Sequence, residues 1–205
     1  MASLLYIESS PRKSRSASIA VAKCYLDSYR TAHPADTVEM LDLWTTHLPA
    51  LTEEVLGAKY ALLHGLNPTE EDRKNWEAVE KTIHRFKAAD KYLFSLPMWN
   101  FGIPYVLKHY LDILIQPTYT FSYTPAEGYK GLVTGKPATL IYARGGAYGA
   151  SAAEDHQTVY MRLALGFIGV TEIQEIVIQP TLGGEDAKRK AIQAAEEQAI
   201  QAAKG

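Results

Sequence analysis

Residues 4–18 read Leu4-Leu5-Tyr6-Ile7-Glu8-Ser9-Ser10-Pro11-Arg12-Lys13-Ser14-Arg15-Ser16-Ala17-Ser18: a short apolar run, an acidic stop, then a serine-rich turn leading into a pattern of helical period. A run nearly free of charge is what a strand covered on both faces requires, and such strands belong to parallel sheets. Four further short runs follow, at Val38–Asp42, Tyr92–Leu96, Ala138–Ala143 and Glu172–Ile178. Between and after them lie segments with the spacing of helices, over Ser16–Ala32, Glu70–Ala88, Tyr105–Leu114, Ala152–Leu165 and Asp186–Ala203. The alternation predicts an α/β fold, a doubly wound sheet with helices on both faces. The run at 38–42 carries Glu39 and Asp42, which places it toward an edge.

In sheets of this kind ligands bind beyond the carboxyl ends of the strands, where strand order reverses. The loops after Glu8, Leu96 and Ala143 are therefore the ones to interrogate. The first, Ser9 to Ser18, combines four hydroxyls beyond Ser9 with the first turn of a helix, whose free N–H groups and dipole favour an anion, and has Arg12, Lys13 and Arg15 nearby. The plainer reading is that Ser16 caps the helix and the basic residues face water. Neither G-x-x-x-x-G-K-[ST] nor G-x-G-x-x-G occurs there, so nucleoside triphosphates and a classical dinucleotide site are disfavoured. A serine-rich turn suits a terminal monophosphate such as that of FMN.

The second loop, Pro97-Met98-Trp99-Asn100-Phe101-Gly102-Ile103-Pro104, sets large apolar rings at the end of a strand, with Pro104 opening the next helix. Trp99 and Phe101 expect a planar ligand, another chain, or the edge of the core against them; Asn100 offers a donor and an acceptor to ring carbonyl and imide groups. The third, Ala143-Arg144-Gly145-Gly146-Ala147-Tyr148-Gly149, carries paired glycines that let backbone N–H groups approach a ligand, or that simply make a turn. Together the three describe a flat aromatic ligand with a phosphate tail.

Four matches in order and spacing then appear: Ser-Ser-x5-Ser-x-Ser (Ser9 to Ser18), Pro-Met-Trp-Asn-Phe-x-Ile-Pro (Pro97 to Pro104), Gly-Leu-Val-Thr-Gly-Lys (Gly131 to Lys136) and Arg-Gly-Gly (Arg144 to Gly146). In these the chain resembles, over essentially its whole length, the FMN-dependent NADH-azoreductase family, relatives of the flavodoxin-like NAD(P)H:quinone oxidoreductases. The resemblance implies a flavodoxin-like three-layer sandwich with a five-stranded parallel sheet in the order 2-1-3-4-5. It implies that Ser10, Ser16, Ala17 and Ser18 hold the phosphate and ribityl end of FMN. It assigns Met98, Trp99, Asn100 and Phe101, with Ala143, Arg144, Gly145 and Gly146, to the isoalloxazine. It also implies a homodimer with each flavin near the subunit boundary, so that Tyr119, Phe121 and Phe167 line a substrate slot. Many members have histidine where this chain has Tyr148, so the family's proton-relay role does not carry over to that ring by resemblance; the acceptor's protons are expected from Tyr148 or from solvent.

The activity expected is hydride transfer from NADH or NADPH through flavin N5 to quinones and aromatic azo compounds in a ping-pong cycle. An FMN electron carrier without nicotinamide chemistry is the alternative. It fits less well with a formal charge of −2, because carriers dock through strongly charged faces. The same balance argues against nucleic-acid binding. Hydrolysis is disfavoured by the lack of G-x-S-x-G.

The six histidines lack paired ligand spacing, so no metal is expected, and Cys24, the single cysteine, permits no internal disulfide. No basic leader or stretch of some 20 apolar residues is present, and a cytoplasmic, non-membrane protein is expected. The chain reads as one domain over 1–205 with two excursions. One, at 48–69, contains Pro49, Gly57, Gly65 and Pro68 and suggests a lid or contact segment. The other, at 117–132, alternates aromatics in the manner of a short β-excursion.

Overall fold

The apolar run at the N-terminus becomes β1 (Ser3–Glu8), with Leu4 through Glu8 all buried. The computed structural model describes residues 1–149 and 153–205. After β1 a single 3-10 turn (Lys13–Arg15) leads into α1 (Ala17–Ala32), followed by β2 (Thr37–Asp42), α2 (Glu53–His64), α3 (Glu70–Ala88), β3 (Lys91–Pro97) and α4 (Tyr105–Leu114). A hairpin, β4 (Phe121–Thr124) and β5 (Gly128–Gly131), precedes β6 (Ala138–Ala143), α5 (His156–Ile168), β7 (Ile173–Ile178) and α6 (Glu185–Ala202). All five expected strands and five expected helices are found. Ser16 lies outside α1 as its cap, and the expected start at Ala152 of the helix that becomes α5 falls outside the described residues.

The main sheet is parallel, in the order β2-β1-β3-β6-β7, with β2 at an edge as its charges suggested. Numbered among the main-sheet strands alone, this is 2-1-3-4-5. Strand pleating divides the core. Leu4, Tyr6, Leu93, Ile141, Ile176 and Ile178 point to one face, where α1 and α6 cover them with Val21, Tyr25, Tyr29, Ala195 and Ala199. Leu5, Ile7, Tyr92, Phe94, Leu140 and Tyr142 point to the other and meet α3, α4 and α5. Alternate residues of one strand thus serve two cores, which explains why β1 had to be apolar throughout.

Two excursions leave this frame. In 48–69 the structure forms α2, which sequence reading left as an irregular segment. Thr52 accepts the Val55 N–H at its start, Glu53 and Glu54 favour its positive end, and Gly65 closes it at φ 64°. The hairpin β4–β5 is the β-excursion expected at 117–132, and its return is anchored by backbone contact. A Cβ on Gly131 would lie 2.3 Å from the Gly169 nitrogen, and the Val133 N–H donates to Ile168 O at 2.8 Å. Lys136 Nζ then donates to the carbonyls of Lys87 and Ala89 at the end of α3. The Gly131–Lys136 motif therefore docks the hairpin to two helix ends.

Candidate active site

The carboxyl ends of β1, β3 and β6 lie side by side, with Glu8 opposite Ser95 and Pro97 opposite Ala143. Pairing continues one residue past the strands: the Ser9 N–H donates to Ser95 O at 3.1 Å, and the Met98 N–H donates to Ala143 O at 2.8 Å. This carries the three expected loops out together, at the point where β1 is flanked by β2 on one side and β3 on the other.

In the first loop Ser9, Ser10, Ser16 and Ser18 are all buried. The Ser16 hydroxyl accepts the Ile19 N–H at 3.4 Å and lies 3.1 Å from the Ser18 hydroxyl. The N–H groups of Ala17 and Ser18, in the first turn of α1, have no intrahelical acceptor and remain available to an anion. Arg12 and Arg15 are exposed, as the plainer reading had it. Lys13 corrects the expectation that it contributes free charge, because its ammonium is taken by Glu8 at 2.7 Å and Asp42 at 2.5 Å. Burial alone would lower the Lys13 ammonium, but the Asp42 and Glu8 hydrogen bonds outweigh it and hold it above its ordinary value.

The second loop is a tight turn: Trp99 and Gly102 exchange both backbone hydrogen bonds at 3.0 Å. Its two central residues take positive φ, 46° at Asn100 and 70° at Phe101. Asn tolerates that region, whereas a phenylalanine there is strained, and strain of this kind concentrates at ligand sites. Phe101 is 52% exposed. Trp99 packs against Trp44 at 5.7 Å and Tyr105 at 6.3 Å between ring centroids. Below them opens a cleft of about 580 Å³ lined by Leu51, Trp99, Asn100, Ile103, Tyr105 and His109 and bordered by the Lys108–Asp112 ion pair. His109 Nε2 lies 2.9 Å from Pro49 O and ties the segment before α2 to α4.

The third loop presents glycine backbone and hides its arginine. The Arg144 side chain is 3% exposed and pairs with Asp155 at 2.9 Å, while Nε donates to Gln157 at 3.1 Å. Burial pushes the Asp155 carboxyl up, but the hydroxyl and N–H of Thr158, with the Arg144 guanidinium, outweigh it and hold it below the usual range. The Arg144 carbonyl accepts both the N–H and the hydroxyl of Thr181 at 2.9 Å. The space where Gly145 lacks a side chain is filled by Leu182, whose Cδ1 would stand 2.8 Å from a Cβ there. Among the described residues the N–H groups of Gly145 and Gly146 donate to no acceptor. Tyr148 is half-buried, with Gln179 bonding both its N–H and its carbonyl and its ring near Gly146 and the Arg144 guanidinium.

The three residues expected to line a substrate slot separate into two groups. Phe121 and Phe167 pack with tilted rings whose centroids are 4.8 Å apart, joined by Tyr129. Tyr119 turns to α3, where its hydroxyl donates to Glu80 and accepts the Trp76 indole N–H at 3.1 Å. Sequence reading missed Trp44, whose position two residues past a strand end carried the same signal as Trp99, and it missed Tyr105 and the Glu8–Asp42 pair.

A parallel five-stranded sheet of this order, with a buried serine cluster at a helix start and an aromatic turn at its switch point, defines a flavodoxin-like protein, and the family model described as Flavodoxin-like fold matches residues 2–203. The FMN-dependent NADH:quinone oxidoreductase of Desulfotalea psychrophila is 46% identical over 206 residues, which cover 100% of this chain and 97% of that one. The structure resembles the crystal structure of an azoreductase from Bacillus anthracis with a TM-score of 0.90 at 34% identity, covering 100% of this chain and 99% of the other. It also resembles an FMN-dependent NADH-azoreductase from the same species in complex with FMN, with a TM-score of 0.87 at 29% identity, covering 99% and 100%. The chain belongs to the family of FMN-dependent NADH:quinone oxidoreductases and azoreductases.

Proposed function

We propose that the protein binds FMN across the three strand-end loops and catalyses reduction of quinones and aromatic azo compounds by NADH or NADPH. The observation that carries this reading is the juxtaposition of a buried serine cluster at a helix start, an aromatic turn and a pair of glycine N–H groups that have no acceptor among the described residues, at the ends of adjacent strands. These are the donors and surfaces that a phosphate, a flat ring system and an electron-rich ring edge need. The names of the relatives support the same cofactor and reaction.

In this reading Ser10, Ser16 and Ser18, with the N–H groups of Ala17 and Ser18, hold the phosphate and ribityl end. Met98, Trp99, Asn100 and Phe101 support the ring, with Ala143, Arg144, Gly145 and Gly146 along its other edge. Arg144 serves through its backbone, since its guanidinium is committed to Asp155. FMN, when bound, supplies hydride acceptance and donation at N5. Donor and acceptor occupy the same open surface in turn, beside Phe101, which makes the kinetics ping-pong. Tyr148 relays a proton to the reduced acceptor.

A second copy of the chain completes the substrate slot around Phe121 and Phe167, with Tyr119 on the neighbouring turn. The exposed apolar residues Val159 and Leu163 of α5, and Tyr129 of the hairpin, support that partner, because isolated large apolar patches mark association surfaces. No helix among the described residues is long and apolar enough to cross a membrane, and we place the enzyme in the cytoplasm.

Initial rates at varied NADH and quinone test the reading. Parallel double-reciprocal lines are expected. Intersecting lines would rule out a shared site used in turn, and absence of NADH-dependent turnover would remove the activity.

A further inference from the structure

The Lys13 ion pair with Glu8 and Asp42 lies beneath the phosphate loop, apart from the groups proposed to touch FMN. Glu8 and Asp42 end neighbouring strands directly opposite each other in register, and their side chains are only 8% and 14% exposed. Two carboxylates so placed repel one another, and they would repel any anion held by the loop that begins at Ser9. Lys13 removes part of that field. Its backbone sits at φ 48°, a conformation in which lysine is uncommon, and its Nζ reaches both carboxylates. The Tyr6 hydroxyl adds a donor to Glu8 at 3.3 Å. The remaining Asp42 oxygen accepts the Trp44 N–H at 3.1 Å, and Trp44 Nε1 donates to Ser9 O at 2.9 Å. Arg12 and Arg15 form no ion pair among the described residues, so Lys13 is set apart from the other cations of the loop.

We infer that Lys13 is a positioning residue for the cofactor phosphate: by bridging Glu8 and Asp42 it cancels negative potential beneath residues 9–18 and fixes the loop in its anion-accepting shape, without itself touching the phosphate. The inference rests on the FMN reading above. It differs from a direct lysine–phosphate contact in one respect: the harm done by losing Lys13 should be repaired by losing a carboxylate.

The test is titration of FMN and of riboflavin, which lacks the phosphate, into apoprotein while flavin fluorescence is followed. Lys13→Met is expected to weaken FMN about tenfold while leaving riboflavin within about twofold, the size of effect one uncompensated charge exerts near a surface. Adding Glu8→Gln to Lys13→Met should restore most of the FMN affinity. An unchanged FMN affinity in Lys13→Met, or a loss that Glu8→Gln leaves unrepaired, overturns the inference. If Lys13→Met fails to fold, Glu8→Gln alone decides: about threefold tighter FMN binding supports the proposal, and unchanged or weaker binding overturns it. An unaltered protein that takes up no FMN would instead refute the reading on which this rests.

Discussion

The indole N–H of Trp44 donates to the carbonyl of Ser9 at 2.9 Å, binding the turn after the edge strand β2 to the first residue of the serine-rich loop that follows β1. The same ring lies 5.4 Å from Tyr105 and 5.7 Å from Trp99, so one side chain joins the loops that follow β1, β2 and β3. Trp44→Phe keeps most of the ring contact and loses the hydrogen bond. It should cost about 1 kcal/mol in urea unfolding and measurably weaken FMN binding. Unchanged FMN affinity in Trp44→Phe would show that the indole bond does not hold the loop.

Asp155 caps α5 by accepting the Thr158 N–H at 3.0 Å and also faces the buried Arg144 guanidinium. Asp155→Ala removes the cap and leaves a buried cation unpaired, an outcome that costs roughly 3–5 kcal/mol. The double change Asp155→Ala with Arg144→Met should recover a good part of that loss. Denaturant midpoints of the two variants measure it, and equal midpoints would mean that the ion pair is energetically idle.

Tyr110 is fully buried in α4 and its hydroxyl has no hydrogen-bond partner among the described residues. Removing an unsatisfied buried polar group of this kind is neutral or stabilising. Tyr110→Phe should therefore raise the melting temperature, by up to about 4 °C. A lower melting temperature would show that the hydroxyl is bonded after all.

The pH limits of stability follow from two sets of groups. Tyr6, Tyr92, Tyr110 and Tyr142 are pushed up from their ordinary value, in each case chiefly by burial. Groups raised on folding stabilise fully below their unfolded pKa, about 10 for tyrosine, and that stability is lost as the pH rises above it. Asp42 is displaced the other way: burial would raise it, but the Lys13 hydrogen bond and the Trp44 N–H outweigh that and lower it. Asp155 behaves alike. Their contribution is present above the unfolded carboxylate value, about 4, and is lost as the pH falls through the folded one. Unfolding should thus steepen above about pH 10 and again below about pH 4. Tyr142→Phe should flatten the alkaline limb, and a limb unaltered in that variant would remove Tyr142 from the explanation.

What could be read in advance depended on how local the determining contacts were. The strands β1, β3 and β6 announced themselves because each side of the sheet needs its own apolar residues, Leu4 and Tyr6 for one core and Leu5 and Ile7 for the other. Ser16 was recognisable as a cap because capping is a relation within one turn. α2 escaped notice because Gly57 sits inside it and only Ala58 of its residues is fully buried, so it lacks the apolar stripe by which helices are found; the cap at Thr52 and the stop at Gly65 were the usable signals. The fate of Lys13 was not legible at all. It depends on Glu8 and Asp42 standing opposite each other, a matter of strand order and register that no local pattern encodes.

The proposal that the three loops hold one FMN is tested most directly by adding FMN to the purified protein, removing the excess, and recording the visible spectrum before and after anaerobic NADH. The expected result is one FMN retained per chain, bleached by NADH and recoloured by quinone. A protein that stays colourless in excess FMN, or that holds FMN which NADH leaves oxidised, would contradict it.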